Sequence, residues 1–409
     1  MSPASGHIPS DAVNLGQGFM NWTPPEFIQK AAFSAISQVE TNHYSHPRGR
    51  IRLRNALSEY LSPSMGLGRN LDPAKEIVIT SGANEGIHAF CTAFLNDGDE
   101  VILFEPFFDQ YIANTSFNGG VPVFVPLHPP SKASTSTIGS SEWKIDIAEL
   151  RAAITKKTKA IFVNTPHNPV GKIFSEQELR EIGEIAKEFN LIIMSDEVYD
   201  CLPLNGEKFV RMASIDDYWN RTVTVGSAGK TFAATGWRVG WAVGPEYLIQ
   251  PLLSATTRIV FCCNSPCQEA VAAGLEEGMK NGFFAEQVKE YEERLKIVSD
   301  GFDALGLPYT IPQGSYFILL CIDKLKIPTS FQIPDIIKQF APDFRACWFI
   351  VQTAKVVSIP ATAFYDKKHW GIGEHYLRFS FCKDTETLKE GMRRLEVLKQ
   401  YIEGKQIVI

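Results

Sequence analysis

The chain has no apolar run long enough to span a membrane, so no membrane association is expected. It has no long basic block either. Its 40 Lys and Arg stand against 46 Asp and Glu, a net charge of -6, and nucleic acid is not an expected partner. The eight cysteines (Cys91, Cys201, Cys262, Cys263, Cys267, Cys321, Cys347, Cys382) contain no CxxC pair. With no secretory apolar region at the start, free thiols in a reducing compartment are expected, and no metal site. No GxGxxG follows a strand-like run, which argues against a nicotinamide dehydrogenase. There is no internal repeat. Met1 to Asp11 is Ser/Pro-rich and lacks arginine, which reads against a mitochondrial presequence. The expectation is a cytoplasmic protein, with a mitochondrial one as the alternative. What remains is a chain of 409 residues, 44% hydrophobic and 21% charged, the composition of a globular protein with room for two domains.

The most informative stretch is TVTVGSAGKTFAATGWRVGWAVG, Thr222 to Gly244. It reads as a buried strand, a turn of small residues around Lys230, and a second apolar strand. Ser227, Ala228, Gly229, Thr231 and Ala233 are too small to hide a lysine or pair its charge. Lys230 is therefore either a solvated surface charge or, if the fold buries it, an amine whose neutral and nucleophilic form is favoured. The distinctive covalent use of such an amine is a Schiff base with a carbonyl.

Other segments place chemistry at the ends of apolar strands. EIVIT runs into SGANEGIHAF, where a turn at Ser81, Gly82 and Ala83 meets a helix N-terminus and free N–H groups face an anion. VILFEP ends in Phe107 and Phe108, and aromatics there are either core or the wall of a site. AIFVNTP leads to HNPVGK, with Asn168 held extended before a proline or in a plain turn. LIIMSDEVY carries Asp196 out of an apolar strand, and a carboxylate there is costly without a partner. Gly16 and Gly18 in LGQGF allow close backbone approach or simply turn. Arg378 in YLRFSF needs an anion, either a structural carboxylate or a ligand.

SAGKTFAATGWRVGW, with NPxG and SDEVY, resembles the cofactor-lysine enzymes of the fold-type I, class I/II pyridoxal-phosphate (PLP) aminotransferases. Within these it is similar to the kynurenine aminotransferase / cysteine-S-conjugate β-lyase group. The resemblance runs from Leu15 to beyond Arg378, and it implies a role for each of these residues. Lys230 bonds the cofactor. Asp196 partners its ring nitrogen, while Asn168 and Tyr199 face its 3-oxygen. Phe108 stacks on its ring. Its phosphate lies on Ser81, Gly82, Ala83, Ser227 and Arg238, and on Tyr44 of a second subunit, since the active sites of the homodimer are shared. Gly18 lies over the substrate, whose α-carboxylate is clamped by Arg378 beside Asn168. Phe19, Phe107 and, across the interface, Phe261 line the side-chain pocket. VFCCNSPCQ has Cys262 where kynurenine aminotransferases often carry histidine, which enlarges that pocket and removes a donor. A dicarboxylate specialist would need a further arginine; Arg258 is near in sequence with no direction assigned.

The fold implied is α/β: a large PLP domain with a mainly parallel seven-stranded sheet between helices, over residues 30–295, and a smaller α+β domain over 296–409. An arm, 1–29, adds to the smaller domain. Ligands of such sheets bind outside the strand C-termini, where Gly82, Phe108, Asn168, Asp196 and Lys230 all fall. The stretch His128 to Ser141 reads as an exposed loop without chemistry. Glu276 to Gly306 reads as one long amphipathic helix, and Ser175 with Glu178 as a helix capping box. The activity expected is transfer of an amino group from a kynurenine-like, aromatic or large apolar L-amino acid to a 2-oxo acid. The alternatives are β-elimination from cysteine conjugates, aspartate or broad-specificity transamination, and a regulator on the same fold. The last normally carries a basic DNA-binding module, which this sequence lacks.

Overall fold

The computed structural model describes residues 8–403; the opening segment 1–7 and the last residues, 404–409, lie outside the described residues. Three sheets organise the described residues. The small one joins β1 (Val13–Asn14) to β13 (Val356–Val357) in parallel. The largest contains β2 (Ile77–Thr80), β3 (Glu100–Glu105), β4 (Val121–His128), β6 (Lys144–Ile145), β7 (Thr158–Asn164), β8 (Ile192–Asp196), β9 (Thr222–Ser227) and β10 (Gly240–Val243). The third contains β5 (Ile138–Gly139), β11 (Tyr309–Ile311), β12 (Phe317–Cys321), β14 (Ile359–Pro360) and β15 (Tyr376–Ser380).

The large sheet runs in the order β2-β10-β9-β8-β7-β3-β4-β6. From β9 to β4 all neighbours are parallel, while β10 is antiparallel to both β2 and β9. The expected seven strands are present, and the two-residue β6 extends them past β4. The central strands are mostly apolar because helices cover both faces. Alternate residues feed different layers: Ile77 and Ile79 enter one core and Val78 the other, as Ile102 and Leu103 do on β3.

Two segments differ from the sequence-based expectation. The Ser/Thr/Pro-rich stretch after His128 is not a bare loop: β5 pairs with β11 in the third sheet, Ile138 is buried, and the Ser140 hydroxyl bonds Gly171 O at 3.2 Å. One buried isoleucine and one satisfied serine suffice to hold it, and neither stands out in a run of small polar residues. The long helix is two, Ser265–Asn281 and Phe283–Leu305, divided at Gly282 (φ +80°). Its stripe of Tyr291, Leu295, Val298, Phe302 and Leu305 is core, as expected. The capping box at Ser175 and Glu178 forms.

The amino-terminal segment matters most for the site. After β1 it continues along β15: Ser380 N donates to Leu15 O at 2.6 Å and the Ser380 hydroxyl to Gln17 O at 3.1 Å. This ladder carries Gly16 and Gly18 to Arg378 on β15.

Candidate active site

A cavity of about 230 Å³ opens at the carboxyl ends of the large sheet. Its wall includes Gly18, Ala83, Phe108, Asn168, Asp196, Tyr199, Ser227, Lys230, Arg238 and Arg378. Residues scattered through the sequence converge because most close or follow a strand, apart from Gly18 on the arm, Arg238 just before β10 and Arg378 on β15.

Lys230 stands in the single helical turn Ala228–Thr231 after β9. Its Nζ donates to Gly18 O at 3.3 Å and lies 5.8 Å from the centre of the Tyr316 ring. Burial lowers its pKa, and no carboxylate pairs with it within ion-pair distance among the described residues. Asp196 ends β8 and is buried. Its carboxylate accepts the Tyr111 hydroxyl at 2.5 Å and faces Val198 N at 3.4 Å. Burial pushes its pKa up to about 6, against the pull of the Tyr111 bond. The Tyr199 hydroxyl is likewise pushed up by burial. Glu197, next in sequence, turns away into a buried pair with Arg211 at 2.6 Å and is structural.

At the other wall Arg378 is buried without a counter-charge. Its Nη1 donates to Asn168 Oδ1 at 3.0 Å and its Nη2 to Gly16 O at 2.8 Å, while Nε has no protein partner. Burial lowers its pKa to about 10, so it remains a cation. A third corner lies at the N-terminus of the helix Ala83–Phe94. Gly82 (φ +80°) leaves room there that a side chain would close, since a Cβ would collide with the Arg238 guanidinium. Arg238 donates to Thr235 O at 2.9 Å and Ser81 O at 3.3 Å. The Ser81 and Gly82 amides are not free as expected, since they donate to Glu85 Oε2 at 2.9 Å and Thr80 O at 2.8 Å. A glycine cradle, an arginine, the Ser227 hydroxyl and the amides that open the helix at Ala83 still suit a phosphate dianion. The donor set therefore fits pyridoxal phosphate.

Four of the expected site residues stand elsewhere. Phe19 does not line the cavity; the centre of its half-exposed ring lies 3.6 Å from Lys383 Nζ. Phe107 does not line the cavity; its ring packs in the core 5.4 Å from Phe124, because consecutive residues leaving the strand face opposite sides and Phe108 takes the cavity side. Tyr44 (85% exposed) and Phe261 (51% exposed) pack edge to face, centroids 5.4 Å apart, on an outer groove with Asn42 and Cys262. They reach no part of this cavity. Arg258 is exposed at the end of its helix and does not line it either. Conversely, Asn84, Ile87, Asn164, Val198 and Phe317 line the cavity unforeseen, with Tyr111 behind Asp196. Asn164 could have been found, since it is a polar residue closing an apolar strand. Phe317 and Tyr111 look like ordinary core aromatics in sequence.

A buried, charge-unpaired lysine, a buried carboxylate and an anion cradle meet at the strand ends of an α/β sheet, the arrangement that a lysine-bound cofactor would need. The chain belongs to the aminotransferase class I and II family, whose sequence model matches residues 10–395. It is 39% identical to the kynurenine–oxoglutarate transaminase of Dictyostelium discoideum, covering 96% of this chain and 92% of that one. It is 35% identical to human kynurenine–oxoglutarate transaminase 1, covering 95% and 93%. The crystal structure of Bna3p from Saccharomyces cerevisiae matches with a TM-score of 0.93 at 43% identity, over 96% of this chain and 92% of that one. The protein is a transaminase, and its family implies pyridoxal phosphate with amino acid and 2-oxo acid substrates.

Among the described residues no helix is long and apolar enough to cross a membrane, and no cluster of His, Cys, Asp and Glu could hold a metal. All eight cysteines are unpaired.

Proposed function

We propose that this protein transfers the amino group of a kynurenine-like, aromatic or large apolar L-amino acid to a 2-oxo acid. The observation that carries the reading is the distribution of charge in the cavity. Of the two arginines that line it among the described residues, Arg238 serves the anion cradle and Arg378 stands across from it, so this chain itself brings no second arginine to a donor's distal carboxylate. A bare carboxylate in an apolar pocket is heavily penalised. The naming of relatives at 35% and 39% identity for kynurenine transamination supports the same donor class.

The cofactor would be held by Lys230 at its carbonyl carbon, by Ser81, Gly82, Ala83, Ser227 and Arg238 at its phosphate, and by Asn168 and Tyr199 at its 3-oxygen. Phe108 would lie against its ring. Bound pyridoxal phosphate supplies an electron sink for the bond broken at the donor's Cα. Asp196 holds a proton at the ring nitrogen, where its charge gains the partner that its burial demands. Arg378 orients the donor by its α-carboxylate. The Lys230 amine, whose neutral form burial favours, takes the Cα proton and returns it. Tyr199 and Phe317 help to keep water from that atom.

The test is kcat/KM for kynurenine, phenylalanine, glutamine and methionine against aspartate, with a common 2-oxo acid. One or more of the first four should exceed aspartate. Aspartate ahead by about tenfold, or about 1.4 kcal/mol, would overturn the reading.

We further infer a homodimer with shared sites. Tyr44 and Phe261 are large, exposed and adjacent, yet remote from the cavity of their own chain; a second copy would bring them to the phosphate and to the side-chain pocket. Sedimentation at assay concentration should give a dimer. A fully active monomer would exclude the shared site.

A further inference from the structure

Arg378 owes its position to weak neutral contacts. Besides Asn168 and Gly16, two rings lie against its guanidinium: the centroids of Phe317 and Phe364 are 4.3 and 4.7 Å from Cζ, both within cation–π range. Phe317 is placed by the sheet, since β12 pairs directly with β15. Phe364 lies just beyond such pairing: β14 pairs with β15, Ile359 opposite Arg378, but ends at Pro360. Phe364 closes the short turn Ala361–Phe364, and the chain then passes through two more short turns, Lys367–His369 and Trp370–Gly373.

Beyond that pairing, three further attachments hold the turn and the residues after it. Phe364 O accepts from Phe107 N at 2.8 Å. The backbone N and hydroxyl of Thr362 both donate to the buried Asp343 at 2.8 Å. Glu105, the last residue of β3, accepts from Asp366 N and from His369 Nδ1. Glu105 is 0% exposed, and burial pushes its pKa up to about 7 against the pull of those two donors. A carboxylate so placed is unfavourable unless its bonds are needed. It lines no part of the cavity and does not touch Arg378. Its effect is to tie residues 366–369, which follow Phe364, to the strand end that carries Phe108.

We propose that Glu105 is a positioning residue for the carboxylate-binding arm of the site: it anchors the Phe364 segment, and Phe364 in turn fixes the Arg378 guanidinium. The proposal rests on Arg378 being the α-carboxylate ligand.

Glu105→Leu keeps roughly the side chain's volume but has no oxygen to accept from Asp366 N or to meet His369 Nδ1. KM for the amino acid and for the 2-oxo acid should both rise roughly tenfold, with much less change in kcat. Inhibition by the donor's decarboxylated amine, which lacks the group Arg378 would bind, should be unchanged. Phe364→Leu should raise both KM values in the same way, and the double variant should be less than additive. Unchanged KM values in both single variants, or equal weakening of the acid and the amine, would overturn the proposal. Arg378→Lys is the reference. If it too leaves both KM values unmoved, the carboxylate assignment has failed, and the role of Glu105 falls with it. If Arg378→Lys raises them while the Glu105 and Phe364 variants do not, the positioning role alone is wrong.

Discussion

Lys230→Ala will lose at least about 10²–10⁴ of kcat, the range that a positioned acid–base group contributes, while the protein remains folded. The competing sites make the expectation specific. Lys172 and Lys383 are also buried lysines with pKa values lowered first by burial. Lys172 is committed to Glu178, Nζ to Oε1 at 2.9 Å. Lys383 donates to Phe19 O and lies 3.6 Å from the centre of that ring. Neither lines the cavity. Lys230 does, and its one hydrogen bond, to Gly18 O, is long and neutral, so its amine is free to react. Purified protein should therefore be yellow, and borohydride should fix the cofactor on the peptide containing Lys230. A label on any other lysine would reject the assignment, even if Lys230→Ala were inactive.

The cavity was legible in the sequence wherever chemistry conflicts with its surroundings. Lys230 among small residues, Asp196 at the end of an apolar strand and Arg378 within one are each costly unless partnered. The structure brings all three to one cavity. The glycine turn before the helix Ala83–Phe94 was legible for a related reason, since strand, glycine and helix start leave amides that need an acceptor. Where residue type carries no such conflict, sequence gives little direction. Phe107 and Phe108 are equivalent on paper, and the side each faces is decided by how the chain leaves β3. Phe317 and Tyr111 are aromatic in aromatic surroundings. Ile138 is one apolar residue in a polar run, and only its register with Thr310 on β11 reveals that the segment belongs to the third sheet. Glu105 is the instructive intermediate. Its acid ends an apolar strand just as Asp196 does, but it is answered by a backbone amide and a histidine more than 250 residues away. Strand-end carboxylates are thus readable as sites of need; whether a ligand or the protein meets that need is not written locally.

Arg378→Ala is expected to lower kcat/KM by roughly 2–5 kcal/mol for any α-amino acid donor, the range for truncating one partner of a buried charged pair. The size follows from the cavity. Arg378 has no carboxylate of its own, its Nε lacks a partner, and its present acceptors are an amide oxygen and a backbone carbonyl. An arriving carboxylate would be the first full charge to meet it, so little is lost from the protein in exchange. Its removal leaves that carboxylate unmatched in a site walled on this side by Phe317 and Phe364. Because its pKa stays near 10, the loss should be the same across the neutral range, with no titration of Arg378 to confuse the comparison. Cofactor content should survive, since the anion cradle at Gly82 and Arg238 belongs to a different wall. Visible absorbance and steady-state kinetics on the same preparation separate the two effects. A variant that keeps its cofactor and its kcat/KM would place the substrate carboxylate elsewhere; one that loses both would assign Arg378 to holding the site together instead.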